Sequence, residues 1–142
     1  MPRVLIVEDE FFVALDIENI LLASGFSVSG IAADRKAALA LAGESDVALI
    51  DINLHDGPTG PSIGTELAER HGVKIVFVTA NPEQIGAAQK VAAAVINKPF
   101  RSETIVKMVQ SVAREAVRFR TGHDDMAAFM PAYQAASSRP ES

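Results

Sequence analysis

The 142-residue chain carries 13 basic and 18 acidic residues, a net charge of −5, and 49% of its residues are hydrophobic. That size fits one domain around one core, and the acidic balance argues against a general nucleic-acid-binding surface. Cysteine is absent, which excludes disulfides, thiolate catalysis and cysteine-based zinc sites and fits a cytoplasmic protein.

No basic region followed by a long apolar stretch opens the chain, so no signal peptide is read there. No apolar run approaches the roughly 18 residues of a membrane span; the longest, residues 73–80, is broken by Lys74. Five short runs rich in β-branched residues instead alternate with helical spacing. The first, residues 4–7, is continuously apolar, as a strand covered on both faces should be. A helix follows with Val13, Ile17, Ile20, Leu21 and Ser24 on one face. Gly25 stands where it should stop.

The second run, residues 26–32, sets Ser27 and Ser29 between apolar residues and reads as an edge strand. Asp34 is placed to cap the second helix and Gly43 to end it. Residues 47–50 form the third strand, Gly72 ends the third helix, and residues 75–78 form the fourth strand. The fourth helix, residues 82–90, is the weakest: it contains Gly86 and few large apolar residues, so a short or mobile element is expected. The fifth strand centres on Val95 and Ile96. Ser102 is placed to cap a last helix that buries Ile105, Val109, Val112 and Ala116. The basic residues Arg101, Lys107, Arg114, Arg118 and Arg120 could meet an acidic partner, but read first as a solvated helix face.

The pattern fades after Arg120. Residues 1–120 are therefore expected to form the domain, and residues 121–142 a partly disordered tail with no room for a second domain. Met126, Phe129, Met130 and Tyr133 could make one docking turn within that tail. Strand and helix in strict alternation imply parallel strands joined by right-handed crossovers. The expected fold is α/β: a (βα)5 three-layer sandwich around a five-stranded parallel sheet.

Polar residues stand where four of the five runs end. Residues 4–7 lead into Glu8, Asp9 and Glu10; residues 47–50 into Asp51; residues 75–78 into Thr79; and Ile96 into Asn97, Lys98 and Pro99. All of these lie at the carboxyl ends of the strands, where open parallel sheets bind ligands. In a flavodoxin-like order, 2-1-3-4-5, Glu8, Asp9 and Asp51 flank the point where the strand order reverses. Singly, each has an ordinary reading: Asp9 as a helix cap, Asp51 as a loop residue, Thr79 as a strand end, Lys98 as a surface cation. Their convergence on one sheet edge favours a site.

The chemistry follows from the residue types. Neighbouring carboxylates repel, and an empty cluster raises at least one pKa. A hard divalent cation relieves that; magnesium suits oxygen ligands and phosphate, and manganese would also serve. A carboxylate oxygen of Asp51 could then attack phosphorus, with Lys98 as a point charge and Thr79 as a hydroxyl donor to the phosphoryl oxygens.

The segments VLIVEDE, ALIDINL around Asp51, VFVTAN around Thr79 and INKPF around Lys98, in that order, resemble the receiver domain of two-component response regulators over residues 3–119. The resemblance implies that Asp51 is phosphorylated by a histidine kinase or phosphotransfer protein. It implies that Asp9, Asp51 and the backbone carbonyl of Asn53 bind the metal, with Glu8 completing the acid pocket. Thr79, Lys98 and the amide of Ala80 would contact the phosphoryl group, and Lys98–Pro99 would be a cis peptide. Such a domain would be a switch that loses its phosphoryl group to water, not an enzyme with a separate substrate. It would be a monomer or weak dimer, acting on a downstream protein rather than on nucleic acid or membrane.

The sequence also departs from the family pattern. Val95 stands three positions before the lysine, where receivers usually carry an aromatic switch residue. A Gly- and Pro-rich stretch, residues 54–61, replaces the usual turn after the phosphoacceptor, and His55 within it reads as a surface histidine. These features are similar to variant single-domain receivers associated with atypical histidine kinases. Two rival readings use the same residues. A magnesium-dependent phosphatase with an aspartyl-phosphate intermediate would need an acid where Asn53 stands. A phosphorylation-independent interaction module would leave the complete Asp, Thr and Lys set unexplained.

Overall fold

The computed structural model describes residues 2–129, with side chains as far as residue 115. In chain order the elements are β1 (Arg3–Val7), α1 (Phe11–Ala23), β2 (Ser27–Ala32), α2 (Arg35–Leu41) and a 3-10 turn (Ala42–Glu44). Then come β3 (Val47–Asp51), α3 (Gly60–His71), β4 (Lys74–Thr79), a 3-10 segment (Pro82–Val91), β5 (Ala92–Asn97) and α4 (Ser102–Phe129). Every strand pair is parallel, and the sheet order β2-β1-β3-β4-β5 is the one expected. β2 lies at an edge, and all but one of its residues are only partly buried, in keeping with its interleaved serines.

The strands' alternation splits the core into two layers. Leu5, Val7, Ala48, Ile50, Ile75 and Phe77 face Ala38 of α2, Ile63 and Leu67 of α3 and Ile85 of the 3-10 segment. Val4, Ile6, Val47, Leu49, Val76 and Val78 face Ala14, Ile17 and Leu21 of α1 and Ile105 and Val109 of α4. Because β1, β3 and β4 are covered on both faces, their sequences are continuously apolar. Each Ile, Leu or Val fully buried here contributes about 1.5–3 kcal/mol relative to exposure.

Local signals account for most boundaries. The Asp34 carboxylate accepts the Ala37 N–H at 2.9 Å and starts α2. Gly72 ends α3 at φ 68°, and its N–H reaches the Ala68 carbonyl, a left-handed turn that side chains resist.

Four expectations need correction. Gly43 does not end α2 in a left-handed turn; it lies inside the 3-10 turn Ala42–Glu44. The fourth crossover is not an α-helix. With Gly86 at φ 57°, ψ −132°, and only Ile85 and Ala88 buried, it forms short 3-10 turns on either side of a break. Ser102 is the first residue of α4 rather than its cap, since the Arg101 carbonyl accepts the Thr104 and Ile105 N–H groups. Regular structure also does not fade at residue 120, because α4 continues unbroken to Phe129. Residues 130–142, including Met130 and Tyr133, lie outside the described residues, as do the side chains of Ala116, Arg118, Arg120, Met126 and Phe129.

Candidate functional site

Strand register brings the site together. Val7 pairs with Ile50, Asp51 with Val78, and Thr79 with Asn97. The chain positions just beyond or at these pairs are Glu8, Asp51, Thr79 and Lys98, so four strands deliver polar groups to one edge of the sheet.

Glu8, Asp9 and Asp51 each offer a carboxylate oxygen within 4.8 Å of the others. The Lys98 ammonium lies 3.4 Å from Asp51 Oδ2 and 3.7 Å from Glu8 Oε1. The Lys98 backbone N–H donates to the Thr79 carbonyl at 2.9 Å, which fixes the root of the lysine beside the end of β4. The Lys98–Pro99 bond is cis, as expected. Thr79 is buried, and its hydroxyl oxygen accepts the Asn81 N–H at 2.9 Å. Ala80 is exposed and lines a groove with Lys98, Pro99, Phe100, Phe12 and Val13.

Glu8 is the most confined of the acids, at 4% exposure. Burial pushes its carboxyl up to about 7; the Glu10 N–H bonded to Oε2 and the Lys98 charge pull it down, while neighbouring Asp51 pushes it further up. Asp9 does not cap α1, because the N-cap is Glu10 and makes no side-chain cap bond. Asp9 instead belongs to the carboxylate cluster. Asn53 follows Asp51 closely, with its N–H at 3.4 Å from Asp51 Oδ1, the weak end of the hydrogen-bond range.

Three carboxylates with one lysine form a donor set of hard oxygens carrying surplus negative charge. That set fits magnesium, which takes one or two carboxylates and keeps several waters.

Sequence reasoning missed two participants, Gln84 and Gly60, and read His55 as a surface histidine, which its exposed side chain bears out. His55 Nδ1 lies 3.6 Å from Asp9 Oδ2 while its side chain is exposed, so it stands at the mouth of the pocket rather than apart from it. Gln84 Oε1 accepts the Asn53 side-chain amide at 2.9 Å across 31 residues. Gly60 packs its backbone directly on Asp51 and Ile52. The loop between them is held by reciprocal Leu54 and Gly57 backbone hydrogen bonds and by the Thr59 hydroxyl donating to Asp56. No sequence signal marks these long-range contacts, and Gly60 and Pro61, read as part of a loop, open α3 instead.

Val95 pairs in register with Phe77 and packs against the core layer that holds Ile50 and Ile85. Residues 4–110 match the family profile described as the response regulator receiver domain. A curated relative, the phyllosphere-induced regulator PhyR of Methylorubrum extorquens, is 31% identical over 128 residues, which is 86% of this chain and 48% of the relative. The chain thus spans about half the length of that relative. The solution structure of the Erythrobacter litoralis PhyR receiver domain is 26% identical, covers 79% of this chain and 89% of that one, and superposes with a TM-score of 0.71. The crystal structure of Bartonella quintana PhyR, described as an anti-anti-sigma factor, is 28% identical, covers 89% of this chain and 51% of that one, and has a TM-score of 0.69.

Proposed function

The chain belongs to the response regulator receiver domain family, and from that premise we infer that Asp51 is its phosphoacceptor, charged by a histidine kinase or a phosphotransfer protein. The observation that carries this reading is the meeting of Asp51, Glu8, Asp9 and Lys98 within a few ångströms, with Thr79 at the next strand end.

Asp51 Oδ attacks phosphorus as the phosphorus–nitrogen bond to the donor histidine breaks; the imidazole leaves with the electron pair and takes up a proton. Lys98 follows the growing charge on the phosphoryl oxygens, and the Thr79 hydroxyl, free to donate while it accepts from Asn81, supplies a hydrogen bond to them. Glu8, Asp9 and Asp51 would hold magnesium together with the Asn53 carbonyl, and manganese would serve. When bound, the ion neutralises charge on the carboxylates and on the phosphoryl oxygens. The amide of Ala80, which lines the same groove as Lys98, would make a further phosphoryl contact. Water later cleaves the acyl phosphate and resets the domain.

The role is regulatory rather than enzymatic. Asn53, two residues after the nucleophile, is far too weak an acid to protonate a leaving group, which disfavours the phosphatase reading. Among the described residues no helix is long and apolar enough to cross a membrane. The net charge of −5 supports an output through a protein rather than nucleic acid. A relative described as an anti-anti-sigma factor supports output through a protein partner. Incubation with a histidine-phosphorylated phosphotransfer domain should move label from the histidine to this chain, and not to Asp51→Asn. Label that stays on the donor under all metal conditions would remove the reading.

A further inference from the structure

His55 is carried to the mouth of the acid pocket on a built turn. Leu54 is buried, and its N–H and carbonyl both bond to Gly57, at 3.0 and 2.9 Å. The Thr59 hydroxyl donates to the Asp56 carboxylate at 2.9 Å and braces the far side of the turn. The root of His55 is thus held while its ring stays exposed, with Nδ1 3.6 Å from Asp9 Oδ2. That gap is too long for a hydrogen bond. It is just wider than the spacing of two donors on one cation, about 3.0–3.5 Å for metal–ligand bonds of about 2.0–2.2 Å. Asp9 in turn belongs to the cluster in which Glu8 and Asp51 offer oxygens within 4.8 Å.

We propose that His55 is a further ligand of the cation gathered by Asp9 and its neighbours, and that its imidazole opens the site to a borderline transition ion of the zinc class as well as to magnesium. The inference rests on the carboxylates holding a divalent cation, as the functional reading has it. Carboxylate and carbonyl oxygens alone suit magnesium, calcium and manganese, whereas an imidazole nitrogen suits zinc, copper, iron and nickel. Magnesium keeps several waters and is bound through one or two carboxylates, so it gains little from His55. Zinc takes about four donors from nitrogen and oxygen, so a histidine beside two or three carboxylates answers its preference. His71, at the last turn of α3, has no such acid cluster beside it among the described residues and serves as the control.

Calorimetric titration with zinc and with magnesium, in wild type, His55→Ala, His55→Gln and His71→Ala, tests the ligand without any phosphoryl transfer. His55 is exposed, so neither substitution there should disturb the core. Both His55 variants should weaken zinc by roughly 10- to 100-fold, the range for removing a group that supports a bound metal, and change magnesium by less than about twofold. His71→Ala should match wild type with both ions. Magnesium should compete with zinc in wild type, and the His55 ring-nitrogen resonances should move with zinc and not with magnesium. Equal zinc affinity in wild type and both His55 variants overturns the inference, as does zinc that magnesium does not displace. If magnesium binds and only the dependence on His55 is missing, this inference falls alone. If neither ion binds the wild type, the metal part of the functional reading falls with it.

Discussion

The backbone of Gly60, the first residue of α3, lies against the carbonyl of Asp51. A Cβ at position 60 would run into that carbonyl and stand 2.7 Å from Ile52 Cα, while the Gly60 N–H donates to the Ile52 carbonyl at 3.0 Å. The helix start and Asp51 therefore cannot move independently. Gly60→Ala should destabilise the fold by about 1–3 kcal/mol through overpacking and slow phosphoryl transfer by shifting Asp51. Gly43→Ala, with nothing within 4 Å of the added carbon, should leave transfer unchanged. Denaturant midpoints and phosphorylation time courses on both variants check this; equal behaviour would remove the constraint.

Glu8 sets a pH dependence. Its folded carboxyl is raised from 4.5 to about 7, chiefly by burial. The native state thus holds a proton that the unfolded chain has released, and stability falls as pH rises from about 4.5 through 7. Below that window the two states bind the proton alike; above it the loss is complete. The stability difference between wild type and Glu8→Gln should therefore decline across the window by up to about 1.4 kcal/mol per unit. Magnesium should stabilise wild type more at pH 8 than at pH 5.5. Urea unfolding at a series of pH values measures both, and a flat difference would contradict the assignment.

Lys98 is the counter-charge of the pocket, 3.4 Å from Asp51 and 3.7 Å from Glu8. Lys98→Ala leaves three carboxylates without it. Magnesium should then bind more tightly, because no ammonium competes for the oxygens, while phosphoryl transfer slows. Isothermal titration calorimetry reads the first effect. Weaker magnesium binding in the variant would show that Lys98 supports the metal rather than competing with it.

Thr79 is buried, and its hydroxyl already accepts the Asn81 N–H. Thr79→Val removes the donor to the phosphoryl group at nearly constant volume, and Thr79→Ser keeps it. A hydrogen bond to a charged group contributes about 1.5–3 kcal/mol, so Thr79→Val should slow phosphorylation by roughly 10- to 100-fold, with Thr79→Ser close to wild type. Equal rates in the two variants would show that the hydroxyl plays no part.

The sheet and the pocket were legible because short-range patterns carry them. Apolar runs ending in Glu8, Asp51, Thr79 and Asn97–Lys98 mark strand ends directly, and parallel alternation places those ends together. Asp34 was legible as a cap for the same reason: its partner is three residues away. The features that escaped depend on contacts distant in sequence. Gln84 meets Asn53 only because β3 and β4 are neighbours, and His55 reaches Asp9 only through the folded loop. Spacing placed Ser102 as a cap, but the Arg101 carbonyl took the first bonds of α4. A short or mobile fourth helix was expected from Gly86 and the few large apolar residues, yet the break at Gly86 and the 3-10 geometry around it go with how little of the segment is buried.

The most direct test of the account is peptide-level mass mapping after incubation with acetyl phosphate and magnesium. The account predicts a single phosphoryl group on Asp51, lost on addition of chelator and absent in Asp51→Asn. Incorporation elsewhere with Asp51 unmodified, or undiminished incorporation in Asp51→Asn, would contradict it.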